Sequence, residues 1–149
     1  MLINARSESA LQKPMFSKPL LTRRCVIPSA GFYEWAYIEE PEPQLSFFEM
    51  VTKPKPNTKT PKVKLFFRRP NESMLYMAGM FNTVIDNEGN KQDAFVILTT
   101  AASSQMSQFH DRMPVILQRK ECEDWINSEK FMHEVIIREG SPLEYRVVG

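Results

Sequence analysis

His110-Asp111-Arg112-Met113-Pro114 sets an imidazole, a carboxylate and a guanidinium side by side, after a polar stretch and ahead of the apolar run Val115-Ile116-Leu117. An imidazole changes charge near neutral pH and can move protons, so this string reads as the loop-to-strand edge of a site. A histidine hydrogen-bonded beside an aspartate for purely structural reasons has the same local sequence. Glu34 stands among Phe32, Tyr33 and Trp35. Buried among those rings it would suit general acid or base work; outward alternation along a strand would leave it solvated. Asn4, Arg6 and Glu8 alternate along Ile3 to Glu8, so an extended segment places all three on one face, either orienting a substrate or lying at a solvated edge. Arg6 and Arg112 offer planar charged forks that match phosphate oxygens. The aromatic groups around Tyr33 and Phe81 could stack on bases, but core packing is the simpler expectation. Thr99-Thr100 adds two hydroxyls at a strand end.

The elements that hold these groups are read from periodicity. Arg23 to Tyr37 gives two β-type runs parted by Ser29-Ala30-Gly31, placing Glu34 inside an aromatic strand. Gln44 to Val51 reads as a further strand and Thr52 to Pro61 as a loop. Met74 to Phe81 and Ala94 to Thr100 are strands joined through the hairpin-type turn Asp86-Asn87-Glu88-Gly89-Asn90. Ala101 to Met106 is expected as a short helix, and Arg119 to Ile126 as a better one with Trp125 and Ile126 buried. Val135 to Ile137 and Tyr145 to Val148 are expected to close the sheet. The result is a β-rich α+β fold, mainly an antiparallel, barrel-like sheet with short helices, in one domain over residues 1–149.

Composition sets limits. With 19 Lys and Arg against 18 Asp and Glu, the net charge of +1 predicts no global attraction to nucleic acid, so any such affinity is local. The one local cluster runs through Lys53, Lys55, Lys59, Lys62, Lys64, Arg68 and Arg69, with no acid between Val51 and Asn71. It is a solvated basic loop or a polyanion contact. Two cysteines, Cys25 and Cys122, give neither a disulfide framework nor zinc-ligand spacing. No apolar run approaches the about 20 residues that span a bilayer. A cytoplasmic protein without metal or cofactor is expected; no phosphate loop, nucleophile elbow or zinc-protease motif is present.

Four strings in order then carry a resemblance: Ile3-Asn4-Ala5-Arg6-Ser7-Glu8; Arg24-Cys25-Val26-Ile27-Pro28 running into Gly31-Phe32-Tyr33-Glu34-Trp35; Leu98-Thr99-Thr100-Ala101; and His110 through Leu117. Together they are similar to the signature of SRAP proteins, the SOS response-associated peptidases. The resemblance implies a protein that binds single-stranded DNA and caps abasic sites. An N-terminal cysteine, exposed by removal of the initiator methionine, condenses with the aldehyde of the opened sugar to give a thiazolidine crosslink; autopeptidase activity accompanies it. It further implies that Asn4 orients that cysteine, Glu34 shuttles protons, and His110 assists ring opening and crosslink reversal. Arg6, Ser7, Thr99 and Arg112 are implied as DNA contacts.

One departure matters. The Asn-Ala-Arg-Ser-Glu string begins at Asn4, whereas family members carry a segment before it that includes the nucleophile, so truncation at the N-terminus and slightly at the C-terminus is expected. Covalent activity is then expected to be crippled, and uncovered strand edges are expected to drive self-association. Two other classes stay open: a non-catalytic single-stranded DNA or protein interaction module, and a metal-free hydrolase using Glu34 with His110.

Overall fold

A computed structural model of the protein describes residues 3–37 and 62–148. In chain order the elements are β1 (Asn4–Arg6), α1 (Ser7–Ala10), α2 (Pro14–Thr22), β2 (Arg24–Ser29), β3 (Phe32–Tyr37), β4 (Lys62–Arg68), β5 (Leu75–Ile85), β6 (Lys91–Ala101), β7 (Arg112–Pro114), β8 (Ile116–Leu117), α3 (Cys122–Asn127), α4 (Glu129–Ile136) and β9 (Glu144–Val147). The larger sheet has the order β1-β6-β5-β2, with β7 added to β6 and β8 to β5, and curls into a half-barrel. Its β1–β6 pairing is parallel; the other pairings are antiparallel. The smaller sheet is β3-β4-β9, antiparallel throughout.

Two hydrophobic clusters bind these layers. Leu20, Ala78, Leu98, Trp125 and Met132 fill the space between the larger sheet and the helices. Leu65, Phe67, Leu75, Met106 and Ile116 fill the space between the two sheets. Alternation explains the split: in β5 the even-numbered Ala78 and Met80 face the helices, while Leu75 faces the smaller sheet. The larger sheet is therefore covered by helices on one face and partly covered by β3 and β4 on the other.

Arg24 ties the helical layer to the sheet. Its guanidinium donates to the carbonyls of Leu20 and Leu21 at the end of α2, and to those of Trp125 and Ile126 in α3. Carbonyls at helix ends lack partners within the helix, so one buried fork satisfies two ends at once. The Trp125 indole N–H donates to the Cys25 carbonyl at 2.9 Å, adding a second link to β2.

The two β-type runs at Arg23 to Tyr37 are strands, yet they lie in different sheets. The Ser29-Ala30-Gly31 turn carries the chain from one sheet to the other. A Cβ at Gly31 would lie 2.3 Å from the Phe67 carbonyl oxygen, so only glycine permits that close passage. The β5–β6 hairpin forms as expected, longer at its tip, with Gly89 at φ +86° closing the turn.

Other expectations are corrected. Ala101 to Met106 is not a helix: Ala101 ends β6 and Ser104 to Phe109 form successive turns. Val135 and Ile136 end α4, because Ser128 caps it by accepting the Phe131 N–H and an apolar face packs inward, so they close no sheet. Ile126 is exposed although Trp125 is fully buried. Glu8 does not share an extended segment with Asn4 and Arg6, since Ser7 begins α1. Helix α2 was not foreseen; Pro14 starts it and the internal Pro19 hides it from periodicity. The expected strand at Gln44 to Val51 and loop at Thr52 to Pro61 lie outside the described residues.

Candidate functional site

Strand β1 lies against β6 with Asn4 opposite Ile97, Ala5 opposite Leu98 and Arg6 opposite Thr99. Ala5 and Leu98 are buried in the helix-side cluster. Alternation thus turns Asn4, Arg6 and Thr99 to the other face, the one directed toward the smaller sheet. In β3, Glu34 lies opposite Leu65, and Ala36 and Leu65 are buried in the inter-sheet cluster with Phe32 packed against it. Glu34 therefore projects from the smaller sheet into the same inter-sheet side. It is half-buried, and its carboxylate accepts the Trp35 backbone N–H at 3.1 Å.

His110 follows a run of turns. The turns from Ser104 end at Phe109, whose ring packs edge-on against Phe67 of β4 and Tyr145 of β9, so the histidine is held at the rim of the inter-sheet core. Its Nδ1 accepts the Arg112 backbone N–H at 3.0 Å. That assignment leaves Nε2 as the protonated ring nitrogen and as the one free for a reactant. In the imidazolium form, Nδ1 can instead donate to the Arg112 carbonyl at 3.1 Å or pair with Asp111 at 3.3 Å.

Arg112 is the best-anchored of the group. Its terminal nitrogens donate to both carboxylate oxygens of Glu8 at 2.7 and 2.9 Å, and one donates to the Thr99 carbonyl at 2.7 Å. The guanidinium hydrogen-bonded to Glu8 holds that carboxyl below the usual range, over the opposing effect of partial burial. Arg112 is thus held by a protein carboxylate, while its buried Nε–H has no hydrogen-bond partner among the described residues. Ser7 is fully buried with its hydroxyl toward Glu8, a place for supporting α1 and not for direct contact with a ligand. The Thr99 hydroxyl faces the Ala5 carbonyl at 3.4 Å, and Thr100 ties the end of α4 through the Arg138 carbonyl.

Neither cysteine has the surroundings of a nucleophile. Burial pushes both thiols up, and Glu121 adds to the effect at Cys122, so both are protonated at neutral pH. Among the described residues no group of His, Cys, Asp and Glu could hold a metal ion. No helix among them is long and apolar enough to cross a membrane.

The core-packing expectation fails for one set of aromatics. Tyr33, Trp35 and Tyr37 are 56, 54 and 61 % exposed on the side of β3 opposite Glu34. The alternation Tyr-Glu-Trp-Ala-Tyr held the signal: whichever face took Glu34 and Ala36 inward sent three rings outward.

A sequence model of the family described as SOS response associated peptidase (SRAP) matches residues 1–144. The Bacillus subtilis protein named abasic site processing protein YoqW is 35% identical over 127 residues, covering 85% of this chain and 48% of its own length. The rat abasic site processing protein HMCES is 29% identical over 126 residues, covering 80% of this chain and 36% of its own. The chain therefore spans about half the length of the first of these relatives. Among solved structures, a Bacteroides thetaiotaomicron protein superposes with a TM-score of 0.74 at 24% identity, over 98% of this chain and 58% of its own, a likeness of fold.

Proposed function

The chain belongs to the SRAP family, and from that premise we propose that its residues form one domain that binds single-stranded DNA and helps to cap abasic sites covalently. What supports the reading is that strand alternation turns Asn4 and Glu34, from two different sheets, to the inter-sheet side, and that His110 directly follows Phe109, whose ring packs against Phe67 of that core.

The chemistry gives each a task. An N-terminal α-amine adds to the aldehyde of the opened sugar, the adduct loses water to give an imine, and the adjacent thiol closes the thiazolidine ring. A proton must reach the departing hydroxyl and leave the amine, which suits Glu34 as the shuttle. In this reading His110 acts as the imidazolium, its Nδ1–H toward the Arg112 carbonyl, and gives its Nε2 proton to the ring oxygen as the sugar opens, ending as the neutral imidazole. Asn4, the first residue of β1, orients the incoming amine in this reading, and Arg6 and Thr99 on the same face steady the DNA. Arg112 acts through Glu8, fixing β7 and with it His110, until DNA competes for its fork. The initiator-removing peptidase activity implied by the family resemblance would use the same groups.

The nucleophile in this reading is the N-terminal cysteine that the family resemblance implies, preceding Asn4; both thiols of this chain are half-buried and protonated. The test is adduct formation with abasic single-stranded DNA by a form extended upstream to a Met-Cys start. Glu34→Gln and His110→Ala in that form are each expected to slow adduct formation about 100-fold or more. Unchanged rates would remove both from the mechanism.

The poor thiols also favour a second reading, in which this chain by itself is a non-covalent DNA-interaction module. Salt-sensitive binding that does not distinguish intact from abasic strands is its signature.

A further inference from the structure

Tyr33 of β3, Phe66 of β4 and Arg146 of β9 stand in one row across the smaller sheet, in register. Trp35 beside Lys64 and Tyr37 beside Lys62 form two more rows on the same outer face. The cations lie over the rings: Lys64 Nζ is 4.1 Å from the Tyr33 centroid, Lys62 Nζ is 5.1 Å from that of Tyr37, and the Arg146 guanidinium is 5.4 Å from that of Phe66. No salt bridge neutralises Lys62, Lys64 or Arg146 among the described residues. Arg68, at the end of this face, is paired with Glu144 and is spoken for.

Exposed rings interleaved with cations that no described acid neutralises are an unusual surface. Side chains on one strand face recur about every 6.8 Å, twice the about 3.4 Å rise of a stacked nucleic-acid strand. A strand lying along β3 must therefore be unstacked, with bases turned toward the rings. A duplex, whose bases face inward, has nothing to give them. Phosphates would take the ammonium groups while bases replace those groups on the ring faces, an exchange that keeps each ring and each cation partnered. An acidic peptide would satisfy the lysines and leave the rings without planar partners.

We propose that the outer face of β3-β4-β9 is a lesion-independent platform for intact single-stranded DNA, on the side of the sheet opposite Glu34. This rests on the reading that the chain handles single-stranded DNA, and it adds where the undamaged strand lies and what holds it.

Trp35 is the built-in reporter, since Trp125, the other tryptophan, is fully buried. Titration of this chain with unmodified oligo-dT is expected to quench Trp35 fluorescence in step with the rise in anisotropy of the labelled DNA. Tyr33→Ala with Tyr37→Ala is expected to weaken binding roughly tenfold or more, from the loss of two stacking partners. Lys62→Ala with Lys64→Ala is expected to lower the slope of log affinity against log salt by about 1.4. All four side chains are at least partly exposed, and far-ultraviolet circular dichroism verifies that both double variants fold. No binding of oligo-dT, binding without quenching, or binding untouched by both double variants would overturn the proposal. So would poly-glutamate binding as tightly as oligo-dT. Adduct formation on abasic DNA by the form extended to a Met-Cys start is scored separately: its absence with the platform intact sinks the capping reading alone, and its presence beside unaffected variants sinks the platform alone.

Discussion

At the residue scale, the Glu8–Arg112 pair joins positions 104 apart in the chain, and its two parallel hydrogen bonds hold the loop that carries His110. Arg112 is largely buried and Glu8 about half exposed, which places the pair near the upper end of what surface ion pairs contribute, about 1 kcal/mol. Glu8→Gln is expected to cost that much at neutral pH by chemical denaturation. Because Arg112 depresses the Glu8 pKa in the folded state, the contribution is complete above the ordinary value of 4.5 and fades as pH falls through the lower, folded one. The stabilities of wild type and Glu8→Gln should therefore converge in acid; a constant gap would refute the linkage. The facing of Asn4 and Arg6 could be read from two-residue alternation alone. The capture of Arg112 could not, because nothing local in His-Asp-Arg-Met-Pro says that a helix starting at Ser7 turns Glu8 toward it.

At the scale of elements, the strand runs and the hairpin were legible because β-branched and aromatic residues alternate between sharp turn signals, Asp86 to Asn90 above all. The helices were less so. Val135 to Ile137 resembles a strand by composition, and only the Ser128 cap and the spacing of Met132, Val135 and Ile136 mark a helix. What joins helices to sheet is Arg24, a residue whose sequence neighbours give no hint of four carbonyl partners. Arg24→Met keeps much of the bulk and removes every donor, leaving buried carbonyls without partners, so a loss of about 3 kcal/mol in unfolding free energy is expected. Trp125→Ala empties the centre of the same layer and is expected to cost about 3–5 kcal/mol. Urea midpoints, read with the slope held common, test both; a change below about 1 kcal/mol for Arg24→Met would show that water replaces the fork.

At the scale of the whole molecule, the two faces of the smaller sheet differ: Glu34 lies on the inter-sheet side, and Tyr33, Trp35 and Tyr37 with Lys62 and Lys64 lie on the outer one. The β5–β6 hairpin extends beyond the helical layer and exposes Phe81, Val84, Ile85 and Phe95, while Cys25, Ile27 and Pro28 border a neighbouring apolar groove of about 390 Å³. Apolar surface of this kind beside the edge of β2 that no described strand pairs favours association. Light scattering of this chain is expected to give a mass above the monomer's that falls when Phe95→Ser and Ile85→Ser are introduced together. A concentration-independent monomer would contradict that.

The central claim is that this fold arranges Asn4, Glu34 and His110 for thiazolidine formation by an N-terminal cysteine. It is tested most directly by a denaturing gel of single-stranded DNA bearing one abasic site, incubated with this chain and with the form extended to a Met-Cys start. A heat-stable adduct from the extended form alone is the predicted result. No adduct from either, or an equal adduct from the unextended chain, would contradict it.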